Sequence, residues 1–557
     1  MKEKLKKEIE TVLVDFGVEN PQVNFDYPRM DFGDLSTNVA MAYAKELGKK
    51  PLDLAEEIKS HLATRSPSEI SRIEVVAPGF INFFFEAEYF TDNVKKVLSD
   101  KDFGKNKSLD GQKIIIEYTD PNPFKEFHIG HLMSNTIGEA ISRVVEASGA
   151  EVKRVNYQGD IGLHVAKAVW AIRKGVASNE AYAYGHKAYE ENEVSKAEII
   201  EVNKKIYDKS DPEINKIYEE GRKESLAYFE EMYHKLGTKF DMYFFESETA
   251  TFGKGVVEKN VPEVFEQSEG AVVFRGEKYD SKLHTRVFIT KEGLPTYETK
   301  ELGLAKIKYD KYPYDKSIVV TGSEINEYFK VLLSAMAVVF PDLAQKTKHI
   351  SHGMLRLPEG KMSSRTGNVI TAESLIEKIK EKVLKKINDR EDMSRTRLDT
   401  DGIAEIVAIG AIKYSILRQA IGGDIIFDFD KSISFEGDSG PYLQYSAVRA
   451  HSVLKRAQFS IFNFQFSIPG GWQTTNLERY LERFPDVVVK AGSEYAPHYV
   501  VTYLIELAGE FNSFYASHKI IGEKDPTSPY RLALTEAFVQ VLTSGLDLLG
   551  IKVPEKM

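Results

Sequence analysis

The sequence predicts a multidomain α/β protein, and three observations support this prediction. The chain has 557 residues, which is too many for one ordinary core at roughly 100–200 residues per domain. A strand, a loop, a helix and a second strand follow one another between residues 113 and 157, which is the βαβ pattern of a parallel sheet. From about residue 400 onward, apolar positions recur with helical spacing, which predicts a helical bundle.

Composition excludes several classes of protein. No apolar run reaches 18 residues and no charged-then-apolar segment opens the chain, so we expect a cytoplasmic protein that neither spans a membrane nor is secreted. The chain has no cysteine, which excludes disulfides, thiolate zinc sites and cysteine nucleophiles. The net charge of −10 argues against a dedicated nonspecific DNA-binding protein, so any RNA would be bound through local basic patches and shape.

The N-terminal 108 residues predict a small α/β unit. Asp34 and Ser36 are of the residue types that cap helices, and they precede an Ala-rich segment that ends at Gly48, so we expect a capped helix there. The segment IEVVAPGFINFFF predicts two strands around a Pro-Gly turn.

The central part of the chain predicts the parallel sheet. KIIIEY (113–118) and VKRVNY (152–157) are expected to be strands, with a helix from His128 to about Ala147 between them. The stretch from about 165 to 270 is dense in charges of both signs, which indicates solvated helices inserted between the halves of the sheet.

The first candidate site is His128-Ile129-Gly130-His131 at the start of that helix. Two histidines at i and i+3 share a helix face, and a helix N-terminus offers unpaired amides and a positive dipole end to a triphosphate. Gly130 lets a base or ribose approach the backbone. The alternative is that the histidines only cap the helix or bind a metal, although zinc is disfavoured because no Glu lies between them and the chain has no Cys.

The second candidate site is Lys361-Met362-Ser363-Ser364-Arg365, followed by Thr366-Gly367-Asn368. A lysine, two hydroxyls and an arginine in a Gly-flanked loop can gather around developing negative charge. The alternative is an ordinary solvated turn.

The two motifs in this order resemble the HIGH and KMSK signature pair of class I aminoacyl-tRNA synthetases. Over nearly the whole chain the sequence is similar to the arginyl-tRNA synthetase family, through EYTDPNPFKEFHIGHLMSN, NYQGDIG, PTYETKELG, VTGSE and FEGDSGPYLQYSAVRA. The resemblance implies an N-terminal domain that contacts the tRNA elbow (1–108), a Rossmann-type catalytic domain (109–400) and a helical anticodon-binding domain (401–557).

The resemblance implies ATP-dependent ligation of L-arginine to tRNA-Arg through arginyl-adenylate, with Mg²⁺ carried by the phosphates and tRNA needed for activation. His128, His131 and Lys361 would be catalytic, and the same three would bind ATP with Gly130, Ser363 and Ser364. We expect a monomer. The alternatives are a class I synthetase of different specificity, a smaller nucleotidyltransferase that shares HIGH, or a noncatalytic tRNA-binding paralogue.

A pocket that binds arginine needs carboxylates because the guanidinium is effectively always charged. By the resemblance, Glu246, Tyr297 and Glu301 would hold the guanidinium, and Glu117 and Asn122 would orient the α-amino end. A lone Glu is otherwise usually a surface charge, and Tyr297 and Glu301 share a face only if their segment is helical.

Three positions depart from the family pattern. The family usually has Asp where this chain has Glu301, Asp-Gln where it has Glu324-Ile325, and His where it has Tyr328.

For tRNA, the resemblance indicates Tyr442, Tyr445 and Arg449 near the anticodon loop and, more weakly, Asn82 and Phe80 near the D-loop. Aromatic residues and arginine supply the stacking and hydrogen bonds that unpaired RNA bases need. The spacing of Tyr442, Tyr445 and Arg449 equally fits plain helix packing.

Overall fold

The computed structural model describes residues 1–63, 65, 67–356, 370–388, 397–457 and 472–557. The chain packs into two compact units. Unit 1 comprises residues 1–103, 449–485 and 506–542, and unit 2 comprises residues 104–448, 486–505 and 543–557. Each unit therefore combines stretches that lie far apart in the sequence.

The N-terminal part of unit 1 is a three-stranded antiparallel sheet, in the order β1-β3-β2, packed with helices. Its elements are α1 (Lys2–Asp15), β1 (Leu35–Thr37), α2 (Val39–Tyr43), α3 (Pro51–Leu62), β2 (Ile70–Val76), β3 (Phe80–Phe85) and α4 (Ala87–Ser99). Apolar side chains of α1 and α3, such as Leu5, Ile9 and Leu54, are fully buried with Phe83 of β3. The predicted pair of strands around the Pro-Gly turn is confirmed.

The predicted helix caps at Asp34 and Ser36 are wrong. Ser36 lies in β1, and α2 begins only at Val39. The Asp34 carboxylate accepts a hydrogen bond from the Phe85 amide at 2.8 Å, and the Ser36 hydroxyl donates to Asn82 Oδ1 at 2.6 Å. Side chains that resemble caps thus satisfy groups of the neighbouring strand β3, which a reading of local sequence cannot detect.

Unit 2 contains a five-stranded sheet in the order β11-β10-β4-β5-β6, and all of its strand pairs are parallel. The elements from residue 113 to 356 are β4 (Lys113–Glu117), α5 (Ile129–Ala147), β5 (Glu151–Gln158), α6 (Leu163–Arg173), α7 (Ser178–Glu191), α8 (Glu193–Asp208), α9 (Pro212–Leu236), β6 (Met242–Phe245), α10 (Glu246–Lys259), β7 (Glu266–Ser268), β8 (Ala271–Arg275), β9 (Thr285–Ile289), α11 (Tyr297–Lys311), β10 (Lys316–Gly322), α12 (Asn326–Val339), α13 (Pro341–Lys346), β11 (Thr347–His352) and β12 (Leu355–Arg356). The predicted parallel sheet is confirmed.

The charged stretch after β5 forms the helices α7, α8 and α9, which share a buried core with α6. The strand β6 also falls within residues 165–270, and it pairs in parallel with β5. The segments β7, β8 and β9 form a separate antiparallel sheet.

Helices dominate the C-terminal part, as predicted. Its elements are α14 (Ala372–Asn388), α15 (Arg397–Leu417), β13 (Ile425–Ile426), α16 (Phe429–Ser432), α17 (Gly440–Arg456), α18 (Asn476–Glu494), α19 (His498–Ser517) and α20 (Ser528–Leu548). Within unit 1, Arg479 of α18 pairs with Asp34 at 2.5 Å, and Tyr89 of α4 donates to Glu482 at 2.9 Å. In the described ranges, no helix is both long and apolar enough to cross a membrane.

Candidate active site

The strand order of the parallel sheet reverses beside β4. The chain continues from β4 through β5 to β6 on one side, and through β10 to β11 on the other. In open parallel sheets, ligands bind at the carboxyl ends of the strands where the order reverses. A cavity of about 420 Å³ lies at this position, lined by Thr119 and Asp120 after β4, by His128 to His131, and by Val320 to Gly322 at the end of β10.

The start of α5 is held by a reciprocal cap made by its two histidines. His128 Nδ1 accepts hydrogen bonds from the amides of Gly130 at 3.1 Å and His131 at 3.4 Å, while His131 Nδ1 accepts from the His128 amide at 3.2 Å. The two rings stack with their centroids 3.6 Å apart. Because each Nδ1 is an acceptor, each neutral ring carries its proton on Nε2.

Both histidines are neutral at physiological pH. Burial, with a smaller effect of the Lys125 charge, lowers the pKa of His128 to about 4. Burial and the neighbouring His128 lower the pKa of His131 well below its usual range. The pair can therefore donate two Nε2–H groups to phosphate oxygens without changing its protonation.

The backbone between β4 and α5 is strained where it borders the cavity. Thr119 has φ 82° and Asp120 has φ 45°, a left-handed conformation that costs free energy in residues other than glycine. Asp120 Oδ1 accepts a hydrogen bond from the Tyr157 amide at 2.8 Å, which holds the loop against β5. Burial and the nearby Glu117 raise the pKa of Asp120 well above its usual range.

Two of the predicted arginine-binding carboxylates form buried ion pairs. Glu117 lies 2.6 Å from Lys308 Nζ, and Glu246 lies 2.6 Å from Lys300 Nζ. Neither carboxylate is more than 4% exposed, so each requires its partner in this environment. Lys300 also lies 5.3 Å from the centre of the Tyr297 ring.

Glu301 differs from these carboxylates because it makes no ion pair with any residue that the structure describes. Its carboxylate lies 3.5 Å from the Tyr328 hydroxyl, which donates to it. Burial, with Glu117 nearby, raises the pKa of Glu301 to about 8. The segment of Tyr297 and Glu301 is helical, since α11 begins at Tyr297, and Tyr297 is 54% exposed.

Gly159 brings Asn122 and Glu246 together. A Cβ at Gly159 would collide with Asn122 Oδ1 and would lie 3.3 Å from Glu246 Oε1. Only glycine leaves room for both side chains at this point. Asn122 also lines the cavity, whereas Glu117, Glu246 and Glu301 lie outside its lining.

The structure leaves some predicted site residues without a description. Lys361, Ser363 and Ser364 lie outside the described residues. Ile325 lines the cavity. In the part of the chain that the structure describes, no group of three or more His, Asp or Glu side chains is arranged to hold a metal ion.

The predicted tRNA-binding residues lie on two elements, α17 and β3. Tyr442, Tyr445 and Arg449 are all half-buried on α17, and Arg449 donates to Asn512 Oδ1 at 2.9 Å. Asn82 is only 3% exposed, whereas Phe80, at the start of the same strand, is 38% exposed. Phe80 is therefore the more accessible of the two candidates on β3.

Sequence reasoning missed Lys125. Its ammonium makes no ion pair among the described residues, lies 4.7 Å from the centre of the Tyr182 ring, and acts electrostatically on His128 and His131. Burial lowers the pKa of Lys125 to about 8. The signal that could have found it is a lysine three residues before the first histidine of the HIGH motif.

Sequence reasoning also missed the two lysines that neutralise the carboxylates. Lys300 and Lys308 lie on α11, which also carries Tyr297 and Glu301. Each is no more than 4% exposed. A lysine in an amphipathic helix usually indicates a solvated face, so only their burial beside Glu246 and Glu117 distinguishes them.

A histidine-capped helix at the reversal point of a parallel sheet, beside a cavity, is the nucleotide-binding arrangement that the HIGH motif predicts. The pattern described as "tRNA synthetases class I (R), catalytic domain" matches residues 93–429. "Arginyl tRNA synthetase N terminal domain" matches residues 1–85, and "DALR anticodon binding domain" matches residues 443–557. The fold and the site are therefore of the class I aminoacyl-tRNA synthetase type.

Comparisons with individual relatives support the same assignment. The chain is 30% identical to an arginine–tRNA ligase of Bacteroides thetaiotaomicron over 97% of both chains, and 32% identical to one of Fusobacterium nucleatum over 95% of this chain and 94% of the relative. Its fold is similar to the arginyl-tRNA synthetase of Thermus thermophilus, with a TM-score of 0.76, 24% identity and 100% of both chains covered. The chain belongs to the arginyl-tRNA synthetase family.

Proposed function

We propose that this chain ligates L-arginine to tRNA-Arg with ATP, through arginyl-adenylate, and releases pyrophosphate and AMP. The observation that carries the proposal is Glu301, a half-buried carboxylate that makes no ion pair in the described chain and lies near the carboxylates Glu117 and Glu246. A cationic amino acid side chain supplies the missing charge. The names of the full-length relatives support the same reaction.

The first step joins arginine to AMP. An oxygen of the arginine carboxylate attacks the α-phosphorus of ATP, and the bond to the bridging oxygen of pyrophosphate breaks. The Nε2–H groups of His128 and His131, and the Lys125 ammonium, stabilise the negative charge that develops on the phosphate oxygens. In the second step a 3′-terminal hydroxyl of tRNA attacks the arginyl carbonyl, and AMP leaves. No covalent enzyme intermediate is required, and catalysis consists of positioning and charge stabilisation.

Mg²⁺ would enter with ATP. This ion keeps several waters and usually binds through substrate phosphates and one or two carboxylates. Asp120 and Glu324 line the cavity and carry oxygen donors of the required type. Mg²⁺ would neutralise charge on the leaving pyrophosphate.

For the contacts with tRNA and with the phosphates of ATP, we propose the residues that the sequence predicts. Tyr442, Tyr445 and Arg449 would meet the anticodon loop, and Lys361, Ser363 and Ser364 would close on ATP. We further propose that the enzyme acts as a cytoplasmic monomer, which sedimentation at micromolar concentration tests.

ATP–pyrophosphate exchange with each of the twenty amino acids, with and without total tRNA, tests the proposed function. We expect exchange with arginine, and only when tRNA is present. Exchange with a different amino acid would reject the arginine specificity and keep the enzyme class. No exchange from folded protein would favour a noncatalytic tRNA-binding protein.

Replacing Lys125 by methionine is expected to weaken ATP binding. Loss of a charge-assisted hydrogen bond costs about 1.5–3 kcal/mol, which is about a ten- to hundredfold weaker affinity. Because the pKa of Lys125 is about 8, the wild-type affinity for ATP should fall as the pH rises above this value and the ammonium loses its proton. Calorimetric titration with ATP between pH 7 and 9 measures both effects.

The matched control is Lys291→Met, at an exposed lysine in the turn after β9. This variant should bind ATP with wild-type affinity and keep the pH dependence. An unchanged ATP affinity in Lys125→Met would remove Lys125 from the proposed phosphate site.

A further inference from the structure

We propose that Tyr328 is a positioning residue that acts with Glu301 as one unit and orients the carboxylate that receives the guanidinium of arginine. The inference rests on the proposed function.

Glu301 and Tyr328 are in contact although they lie on different helices. Glu301 lies on α11 and Tyr328 on α12, 27 residues apart in sequence, yet the Tyr328 hydroxyl is 3.5 Å from Glu301 Oε1. This is the one hydrogen bond that the Glu301 side chain makes to the described residues. A glutamate side chain has several rotatable bonds, so without this contact its carboxylate would lose orientation.

Tyr328 is itself held in place from two sides. The Arg286 guanidinium lies 5.6 Å from the centre of its ring, within the range of a cation–π contact. Arg286 is fixed in turn by an ion pair with Glu298 at 2.7 Å. Phe329 contacts the ring edge to face, with centroids 5.7 Å apart. The phenol is thus anchored before any substrate arrives.

The hydroxyl remains a donor throughout the working pH range. Burial and the charge of Glu301 raise the pKa of Tyr328 well above its usual range. When a guanidinium binds and Glu301 ionises, the contact becomes a charge-assisted hydrogen bond, which is stronger than a neutral one. Tyr328 therefore supports the form of Glu301 that binds arginine.

The residue types at these two positions determine where the carboxylate lies. Glu is one methylene longer than Asp, which moves the carboxylate forward by about one C–C bond of roughly 1.5 Å. A histidine ring has no hydroxyl group, so a histidine at this position would not donate the same hydrogen bond to the carboxylate. Glu301→Asp and Tyr328→His should therefore each misplace the carboxylate.

The charged and titratable groups around Glu301 come from several elements. They are Glu117 of β4, Asp120 of the loop after it, Tyr157 of β5, Glu246 of α10, Lys308 of α11 and Tyr328 of α12. Of these, Tyr328 is the group that donates a hydrogen bond to the carboxylate and so favours its ionised form. Removing the hydroxyl should raise the pKa of Glu301 further.

A double-mutant cycle tests the pair in the full-length enzyme. Glu301→Asp and Tyr328→His are each expected to raise the KM for arginine about tenfold, with a smaller change in kcat and none in the KM for ATP. If the two residues acted independently, the KM for arginine of the double variant would be about a hundredfold above the wild-type value. We expect this KM to be at least fivefold lower than that product, which is within the range of measured coupling between contacting residues.

The pH profile of Tyr328→Phe gives a second readout that a purely structural role would not change. Because free Glu301 must lose its proton to bind a guanidinium, arginine affinity in the wild type should rise with pH, with a midpoint at about pH 8. In Tyr328→Phe this midpoint should move to higher pH. Tyr309→Phe is the matched control, since Tyr309 is a half-buried tyrosine of α11 whose hydroxyl lies 3.4 Å from Lys346.

Coupling below fivefold, or an unmoved midpoint in Tyr328→Phe, overturns the inference. If Tyr328→His does not fold, the Tyr328→Phe profile decides alone. Wild-type exchange with arginine is measured first. Its absence would defeat the proposed function, whereas arginine exchange without coupling would defeat only the role of Tyr328.

Discussion

Alanine in place of His131 is expected to lower the rate of arginyl-adenylate formation about a hundredfold, because one donor to the developing phosphate charge is lost at a cost of roughly 3 kcal/mol. His131 Nε2 is free to donate because its Nδ1 already accepts the His128 amide. Pyrophosphate exchange at saturating arginine and ATP, with tRNA-Arg present, measures the effect. Binding of tRNA should remain at its wild-type affinity.

Two comparisons separate chemistry from folding in this experiment. The cap that His131 makes is also lost, and such caps contribute about 1 kcal/mol, so the unfolding temperature should fall only modestly. His234→Ala removes an exposed histidine of α9 and should leave the rate unchanged. Unchanged turnover in His131→Ala would refute the proposed role of the histidine pair.

Alanine in place of Glu246 is expected to abolish measurable arginine binding and to destabilise the fold by about 3–5 kcal/mol, because it leaves a buried charge without its partner. Lys300 is 4% exposed, and apart from Glu246 its ammonium donates to the Ile161 carbonyl at 3.4 Å and lies 5.3 Å from the centre of the Tyr297 ring. Chemical denaturation and calorimetric titration with arginine measure the two effects separately.

The double variant Glu246→Gln with Lys300→Met distinguishes support of the fold from recognition of arginine. It replaces the buried ion pair by neutral groups of similar volume, which is often neutral or stabilising. We expect most of the lost stability to return and arginine binding to remain absent. Recovery of arginine affinity in this variant would show that Glu246 is not part of the guanidinium seat.

Much of the fold was predictable because local signals and tertiary structure agree. The helix expected from His128 to about Ala147 is α5, with His128 as its N-cap. The strands expected at 113–118 and 152–157 are β4 and β5, and they pair in parallel. Buried apolar strands and a helix with a polar start have a periodicity that one segment of sequence displays by itself.

Predictions from the sequence were wrong or incomplete where a side chain contacts a residue that is distant in the sequence. Asp34 and Ser36 have the composition of helix caps but bond to β3. Lys125 and Lys300 look like ordinary surface lysines until the fold places them beside the histidines and Glu246. The contact between Glu301 and Tyr328 joins two residues that lie 27 positions apart in the sequence.

The sequence by itself determined the family, the parallel sheet and the position of the HIGH motif at a helix start, because each depends on residues that are close together in the chain. The tertiary structure decided the charge balance of the proposed arginine site. Which carboxylates are paired with lysine and which one makes no ion pair in the described chain depends on burial and on distances of a few ångströms between separate elements. Those quantities arise only when α10, α11 and β4 pack together.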